Sequence, residues 1–310
     1  MTSLVAVIDI GSNSIKILVA TRGTAGEILP LKVRTIDARI SAGISESVPR
    51  LREEGMQRGL DAIRSLLSDA EAFAPQRTIL VATSAVRDAQ NGAEFRARVQ
   101  AATSHPIRVL SGDEEANLIG RGLTADPALR DLQDFYVFDL GGGSLECLAF
   151  RGRRIEQAVS LQLGCVRLTE KFLPDPTGPF SAAAREAVMK HTRACLTQAK
   201  FAFALPSTAT AIGAGGSVTT ARAILGERAG KALDATSPSV SVAQMTELLD
   251  TLGALPLAAR QEVRGLPKAR ADVFPTALAT LIAVAEVGRF SAYRNSLQNL
   301  RYGVADEALA

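Results

Sequence analysis

Across 310 residues the chain is 47% hydrophobic and 22% charged, ordinary globular proportions with material for one large or two medium domains. A formal net charge of +3 without Trp and with 5% aromatics tolerates a polyanionic ligand but is neither the footprint nor the stacking platform of a nucleic-acid-binding protein. No apolar run reaches the ~20 residues of a membrane span, the N-terminal residues lack a basic leader, and Cys147, Cys165 and Cys195 form no paired motif. Hence neither a membrane partner, nor a disulfide framework, nor a zinc site is expected, and a reducing cytoplasm fits best.

In chain order, an apolar run ends at Asp9 and is followed by Gly11-Ser12-Asn13-Ser14 and a second apolar run. This predicts a strand, a tight turn and a strand. A third strand is expected over 28–36. A helix follows with apolar residues at Leu51, Met56, Leu60, Ile63, Leu66 and Leu67, then a strand at 78–83. Asn91-Gly92-Ala93-Glu94 has capping-box spacing and opens a helix to about 102. A short strand at 107–110 leads into a second capping box, Ser111-Gly112-Asp113-Glu114, and a helix through 123. Pro127 and the polar residues 130–134 mark a boundary, so a first domain is expected over 1–126 and a second over 127–297.

The second half repeats the order. Strands are expected at 135–139, 144–150 and 154–161, helices at 166–172 and 181–203, and a strand at 209–213 running into Gly213-Ala214-Gly215-Gly216-Ser217. Helices are expected to dominate to about 290, with 225–239 a loop. A C-terminal helix near 298–310 is expected to return to the first domain.

The central observation is an internal repeat. Val7-Ile8-Asp9-Ile10-Gly11-Ser12-Asn13-Ser14 recurs as Val137-Phe138-Asp139-Leu140-Gly141-Gly142-Gly143-Ser144, with Asp, Gly and Ser at identical offsets. One recurrence at so long a spacing reads as a duplicated domain rather than a solenoid. Each turn leaves backbone N–H groups free to cradle an anion, and each strand-end aspartate can hold a cation directly or through water.

These motifs, with Ala82-Thr83-Ser84-Ala85-Val86-Arg87, Ser111-Gly112-Asp113-Glu114-Glu115-Ala116, Asp139-Leu140-Gly141-Gly142-Gly143-Ser144-Leu145-Glu146 and Gly213–Ser217, resemble the exopolyphosphatase/guanosine pentaphosphate phosphatase family over nearly the whole chain, in its short two-domain form. The resemblance implies an α/β fold of two duplicated actin-like (ribonuclease H-like) ATPase-superfold domains with an interdomain cleft. It implies metal-dependent release of terminal orthophosphate from inorganic polyphosphate. The 5′-phosphate of guanosine pentaphosphate is the alternative substrate, and an actin-like nucleotide-binding kinase or a non-catalytic sensor is the reading outside the class. A homodimer is a candidate assembly.

Asp113, Glu114 and Glu115 crowd the first turn of a helix, where acids favour the dipole whatever their function. The resemblance selects Glu115 as the residue that positions and deprotonates water. Asp9, Asp139 and Glu146 are the candidate ligands for Mg²⁺ or Mn²⁺, since hard oxygen donors suit such ions. Ser12, Asn13 and Ser14, with Gly141, Gly142, Gly143 and Ser144, are the expected phosphate cradle. Gly215, Gly216 and Ser217 add a glycine-rich helix N-terminus where phosphate can approach the backbone. Arg87 matches a family arginine that contacts phosphate, and a guanidinium can hold two phosphate oxygens at once. Cys165 is expected to be a packed small residue. The family's Gly-Leu-Arg-Glu-Gly near the C-terminus stands here as Asn299-Leu300-Arg301-Tyr302-Gly303, which places a bridging or substrate contact in question.

Overall fold

The structure is a computed structural model describing residues 3–45 and 48–310; the leader reading begins on Met1 and Thr2, outside the described residues. The strands are β1 (Leu4–Ile10), β2 (Ile15–Arg22), β3 (Ile28–Ile36), β4 (Arg77–Ala82), β5 (Ile107–Val109), β6 (Phe135–Leu140), β7 (Leu145–Arg151), β8 (Arg154–Leu161), β9 (Thr210–Ala214), β10 (Ser239–Ser241) and β11 (Ala292–Asn295). The helices are α1 (Glu53–Glu71), α2 (Ser84–Arg87), α3 (Gly92–Thr103), α4 (Gly112–Thr124), α5 (Cys165–Phe172), α6 (Ala182–Gln198), α7 (Gly215–Arg228), α8 (Val242–Gly253), α9 (Leu257–Arg260), α10 (Phe274–Gly288) and α11 (Leu300–Ala308). Two compact units result. One runs to Asp131 and is rejoined by Gln298–Ala310; the other is Leu132–Leu297.

The first unit holds a sheet of order β3-β2-β1-β4-β5. β1 pairs antiparallel with β2 and parallel with β4, and β4 pairs parallel with β5. Nearly every residue of β1 is buried, as a strand covered on both faces requires. One face packs its Ile8, Ile10, Ile15 and Ile17 against Met56, Ile63 and Leu66 of α1 and Phe95 and Val99 of α3. On α4 and α11, Gly122 and Gly303 let the two backbones meet. A Cβ on Gly303 would lie 1.8 Å from the Leu118 carbonyl oxygen, so only glycine fits.

The second unit holds a sheet of order β10-β11-β9-β6-β7-β8. Read from its other edge it repeats the first sheet, with β11 in the place of β5 and β10 as an added antiparallel edge. Its core is built on α10, whose residues from Phe274 to Ala285 are all buried, and the buried Tyr293 donates its hydroxyl to the Leu281 carbonyl at 2.6 Å.

Four expectations need correction. Asn91 does not cap α3: its carboxamide accepts from Leu51 N and donates to Leu51 O, both at 2.9 Å, so a buried tertiary partner outcompetes the local cap. The helix expected over 181–203 stops at Gln198: Ala199 N closes it on Cys195 O at 2.9 Å, Lys200 turns out of it at φ +55°, and 201–203 are not helical. The segment 225–239 is not all loop, since α7 continues to Arg228. The short strand β10 stands where the expected loop meets the expected helices, and β11, beyond 290, was not expected at all. The Ser111 capping box forms on both sides, with Ser111 Oγ accepting from Glu114 N at 3.1 Å and Glu114 Oε2 from Ser111 N at 2.8 Å.

Candidate active site

The two repeated hairpins have the same register. Asp9 faces Lys16 and Ile10 faces Ile15 across the first; Asp139 faces Glu146 and Leu140 faces Leu145 across the second. Each turn is closed by the same bond, Gly11 N to Ser14 O at 3.2 Å and Gly141 N to Ser144 O at 3.0 Å. Among the described residues, the N–H groups of Ser12, Asn13 and Ser14 find no acceptor in the chain, nor do those of Gly142, Gly143 and Ser144. Two successive-amide nests of this kind suit an anion.

The match extends to the neighbouring parallel strand. Asp9 lies opposite Val81 and Asp139 opposite Ala214. Three residues further on stand Ser84 and Ser217. Ser84 Oγ is 3.3 Å from Ser12 Oγ, and Ser217 Oγ donates to Leu140 O at 3.3 Å. These residues follow the carboxyl ends of parallel strands, where open α/β sheets place their ligands.

In the first unit, β5 leads into the capped N-terminus of α4 and its three acids. Asp113 and Glu114 are exposed, and Glu114 is committed to the capping box and to Arg108. Glu115 alone is buried, at 5% exposure. Its Oε2 accepts from Arg87 Nη1 at 2.9 Å, and the same nitrogen donates to Leu110 O at 2.9 Å. The short helix after β4 and the helix after β5 are therefore tied together by a carboxylate–guanidinium pair. Burial raises the Asp9 carboxyl above its ordinary range, with Lys16 and then Arg301 opposing that shift. Arg301, the arginine kept in the altered C-terminal motif, is itself buried and donates to Ile17 O at 2.9 Å. Asn299 is the N-terminal flanking residue of α11, and its carbonyl accepts from Tyr302 N and Gly303 N.

In the second unit, Glu146 is 2% exposed and its Oε1 accepts from Ser160 Oγ at 2.8 Å. Asp139 is partly open. Gly215, at φ +78°, passes so close that a Cβ there would lie 2.2 Å from Asp139 Oδ1. Asp139 and Glu146, oxygen donors side by side on adjacent strands, fit a hard cation that takes one or two protein carboxylates. Among the described residues no group of three or more His, Cys, Asp or Glu side chains forms a ready metal cluster. Asp9 belongs to the other unit from Asp139 and Glu146.

Sequence reasoning passed over several residues that shape these turns. Arg39 N donates to Asn13 O at 2.8 Å, and Ser41 donates to Ser12 O through both N and Oγ. In the second unit Cys165 N donates to Gly141 O, Val166 N to Gly142 O, and the buried Arg167 Nε to Gly143 O at 3.0 Å. Cys165 is a packed small residue, 3% exposed. Arg270 lies with its guanidinium against Gly216, where a Cβ would be 2.1 Å from Nη1. Asn295 donates to Gly213 O at 3.1 Å. Of these, only Cys165 stood out in the sequence, as a packed small residue. The others act over long sequence separations.

The sequence matches the Ppx/GppA phosphatase family over residues 18–310, a span that begins just after the first turn. Among solved structures the chain is similar to an exopolyphosphatase from Cytophaga hutchinsonii, at 24% identity and a TM-score of 0.88, covering 99% of this chain and 98% of that one. It is also similar to the Ppx/GppA family member of Aquifex aeolicus, at 23% identity and a TM-score of 0.79, covering 100% and 98%. Both show the fold, here two units each built on a mixed α/β sheet. Among the described residues no helix is long and apolar enough to cross a membrane.

Proposed function

The chain belongs to the Ppx/GppA phosphatase family, and from that premise we propose that it is an exopolyphosphatase releasing terminal orthophosphate from inorganic polyphosphate in a cytoplasmic setting. Water attacks the terminal phosphorus, its proton passes to Glu115, and the bridging P–O bond breaks to leave a chain one phosphate shorter. Phosphoryl transfer asks little covalent work of a protein beyond aiming water and offsetting charge. The observation that carries the proposal is Glu115: it is the buried acid of its helix turn, and its carboxylate is paired to Arg87. Arg87 has the fork geometry to exchange that carboxylate for phosphate oxygens.

The amides of Ser12, Asn13 and Ser14 and those of Gly142, Gly143 and Ser144 supply donors for non-bridging oxygens, and Gly215, Gly216 and Ser217 open α7 to the same kind of ligand. Asp139 and Glu146 of the second unit would hold Mg²⁺ or Mn²⁺; Asp9, the remaining carboxylate of the expected set, belongs to the first unit. Such an ion would neutralise charge on the transferring group. Lys16 and Arg270 add positive charge beside the first and third turns.

Replacing Glu115 by Gln keeps the side chain's size and one acceptor for Arg87 but removes the base. Phosphate release with Mg²⁺ from polyphosphate, guanosine pentaphosphate and ATP is the assay. The expected result is fastest release from polyphosphate and a fall in kcat of about 10²- to 10⁴-fold, the usual worth of a positioned base, with polyphosphate binding retained. Near-normal turnover by Glu115→Gln removes the base assignment. A preference for guanosine pentaphosphate or ATP removes the substrate assignment and leaves the chemistry.

A further inference from the structure

We infer that Arg39 is a positioning residue that pins the Asn13 carboxamide so that its NH₂ faces an anion, an inference that rests on the phosphate-binding role proposed for the first turn. Asn13 is 3% exposed. Its Oδ1 accepts from Arg39 Nε at 3.0 Å, while Nδ2, buried, has no partner among the described residues. Chemistry dictates which way round the amide sits. A guanidinium donates and cannot accept, so the atom facing it must be the oxygen and the other must be the NH₂. A buried donor left without an acceptor is costly, and it persists here in a turn whose backbone N–H groups at Ser12, Asn13 and Ser14 are likewise unclaimed. Four donors from one turn then address one ligand, and the chemistry they share is that of a multivalent oxyanion.

Arg39 is itself held for the purpose. Its backbone adopts φ +38°, a left-handed conformation that non-glycine residues avoid and that clusters at functional sites. The surrounding bonds enforce it. Arg58 of α1 donates to Ala38 O at 2.9 Å and to Arg39 O at 3.0 Å, and Arg39 N and Ser41 N reach back to Asn13 O and Ser12 O. Helix α1 thus fixes the segment after β3, and that segment fixes both the main chain and the side chain of the turn. Arg39 has no need to touch phosphate: its Nε is spent on Asn13, and its effect passes through the amide.

The test uses tripolyphosphate with Mg²⁺ as probe and the full-length chain carrying Glu115→Gln, so that binding is read without turnover. In that background, Arg39→Met should weaken tripolyphosphate binding about tenfold or more, the scale of one hydrogen bond to a charged group, and Arg39→Lys should recover most of it. Asn13→Ala should show a similar loss, and Arg39→Met with Asn13→Ala should bind no worse than Asn13→Ala alone. With Glu115 restored, Arg39→Met should raise KM more than it lowers kcat. In asparagine-labelled protein the Asn13 side-chain NH₂ resonances should shift on adding tripolyphosphate, and in Arg39→Met they should not. Arg39→Met binding as tightly as its parent, or losses that multiply in the double variant, overturns the inference. Should the parent bind no tripolyphosphate, the functional proposal fails instead. The inference then stands or falls on whether Arg39→Met alters the Asn13 NH₂ resonances of the free protein.

Discussion

Gly215→Ala separates the cost of a strained backbone from the cost of a displaced carboxylate. Gly215 has φ +78°, and an added Cβ would stand 2.2 Å from Asp139 Oδ1 and 3.3 Å from its Cγ. The left-handed backbone alone costs a non-glycine residue about 1–2 kcal/mol. The steric cost falls on function, because Asp139 sits on β6, paired on both sides by β7 and β9, and cannot move with its strand. Its carboxylate must swing away by about 1 Å to restore ordinary contact, and a misplacement of that size in a catalytic group can cost about 100-fold in rate. Gly230→Ala is the matched control. Gly230 has φ +65° with nothing within 4 Å of its added Cβ, so it bears the backbone cost alone. Urea unfolding should show a similar loss for both, about 1–2 kcal/mol. Phosphate release with Mg²⁺ should fall about 100-fold for Gly215→Ala and stay within about twofold for Gly230→Ala. Equal activities in the two variants would refute the proposed catalytic role of Asp139.

Gly303→Ala should be the more severe change in stability. Its Cβ would meet the Leu118 carbonyl oxygen at 1.8 Å, a backbone atom that cannot rotate aside, so α4 and α11 must part; a loss of about 3 kcal/mol or more in thermal or urea unfolding is expected, and a near-native midpoint would show that the helix pair is not closed in this way. Asp9 gives a pH test in metal-free buffer. Burial raises its carboxyl, so its favourable contribution is complete below the ordinary carboxylate value and is lost as pH rises through the raised one. Asp9→Asn should therefore stabilise the protein near pH 7–8, with the gain vanishing below about pH 4. A gain largest in acid would reverse the sign and refute the burial argument.

Much of this arrangement was legible because the informative contacts are local. Asp9, its turn and Lys16 lie within one hairpin, and so do Asp139 and Glu146, so two strings of residues announce a shared register. What escaped depends on partners distant in sequence. Arg39 and Ser41 reach turn residues more than twenty positions away, and nothing in Ala38-Arg39-Ile40-Ser41 says so. β11 has four residues and acquires its identity only by parallel pairing with β9, across the helices that separate them. Asn91 was misread because a cap is a local option that loses when Leu51 offers a buried donor and acceptor together. Glu115 could not be told from Asp113 and Glu114 by residue type, as all three suit a helix N-terminus. Folding separates them: Glu114 is used by the cap, Asp113 faces solvent and Glu115 is enclosed with Arg87.

The two hairpins share a frame and differ in charge, and that difference carries a last expectation. Asp9 is flanked by cations, with Lys16 opposite it and Arg301 near. Asp139 faces Glu146, and like charges directly opposite on paired strands repel. A duplicated frame that keeps the amide nest but replaces Lys16 by a buried glutamate has exchanged a built-in cation for a place where one must be supplied. The proposed function therefore assigns metal binding chiefly to Asp139 and Glu146 of the second unit, and the base and the pinned amide to the first. Mg²⁺ should raise the thermal midpoint of the native chain, the rise growing with the logarithm of Mg²⁺ concentration above its Kd. Chelation should reverse that rise, Glu146→Gln should abolish it, and Asp9→Asn should leave most of it. A Mg²⁺ effect lost equally in both variants would mean that Asp9 binds the ion as strongly as Glu146, and the proposed division between the two hairpins would be wrong.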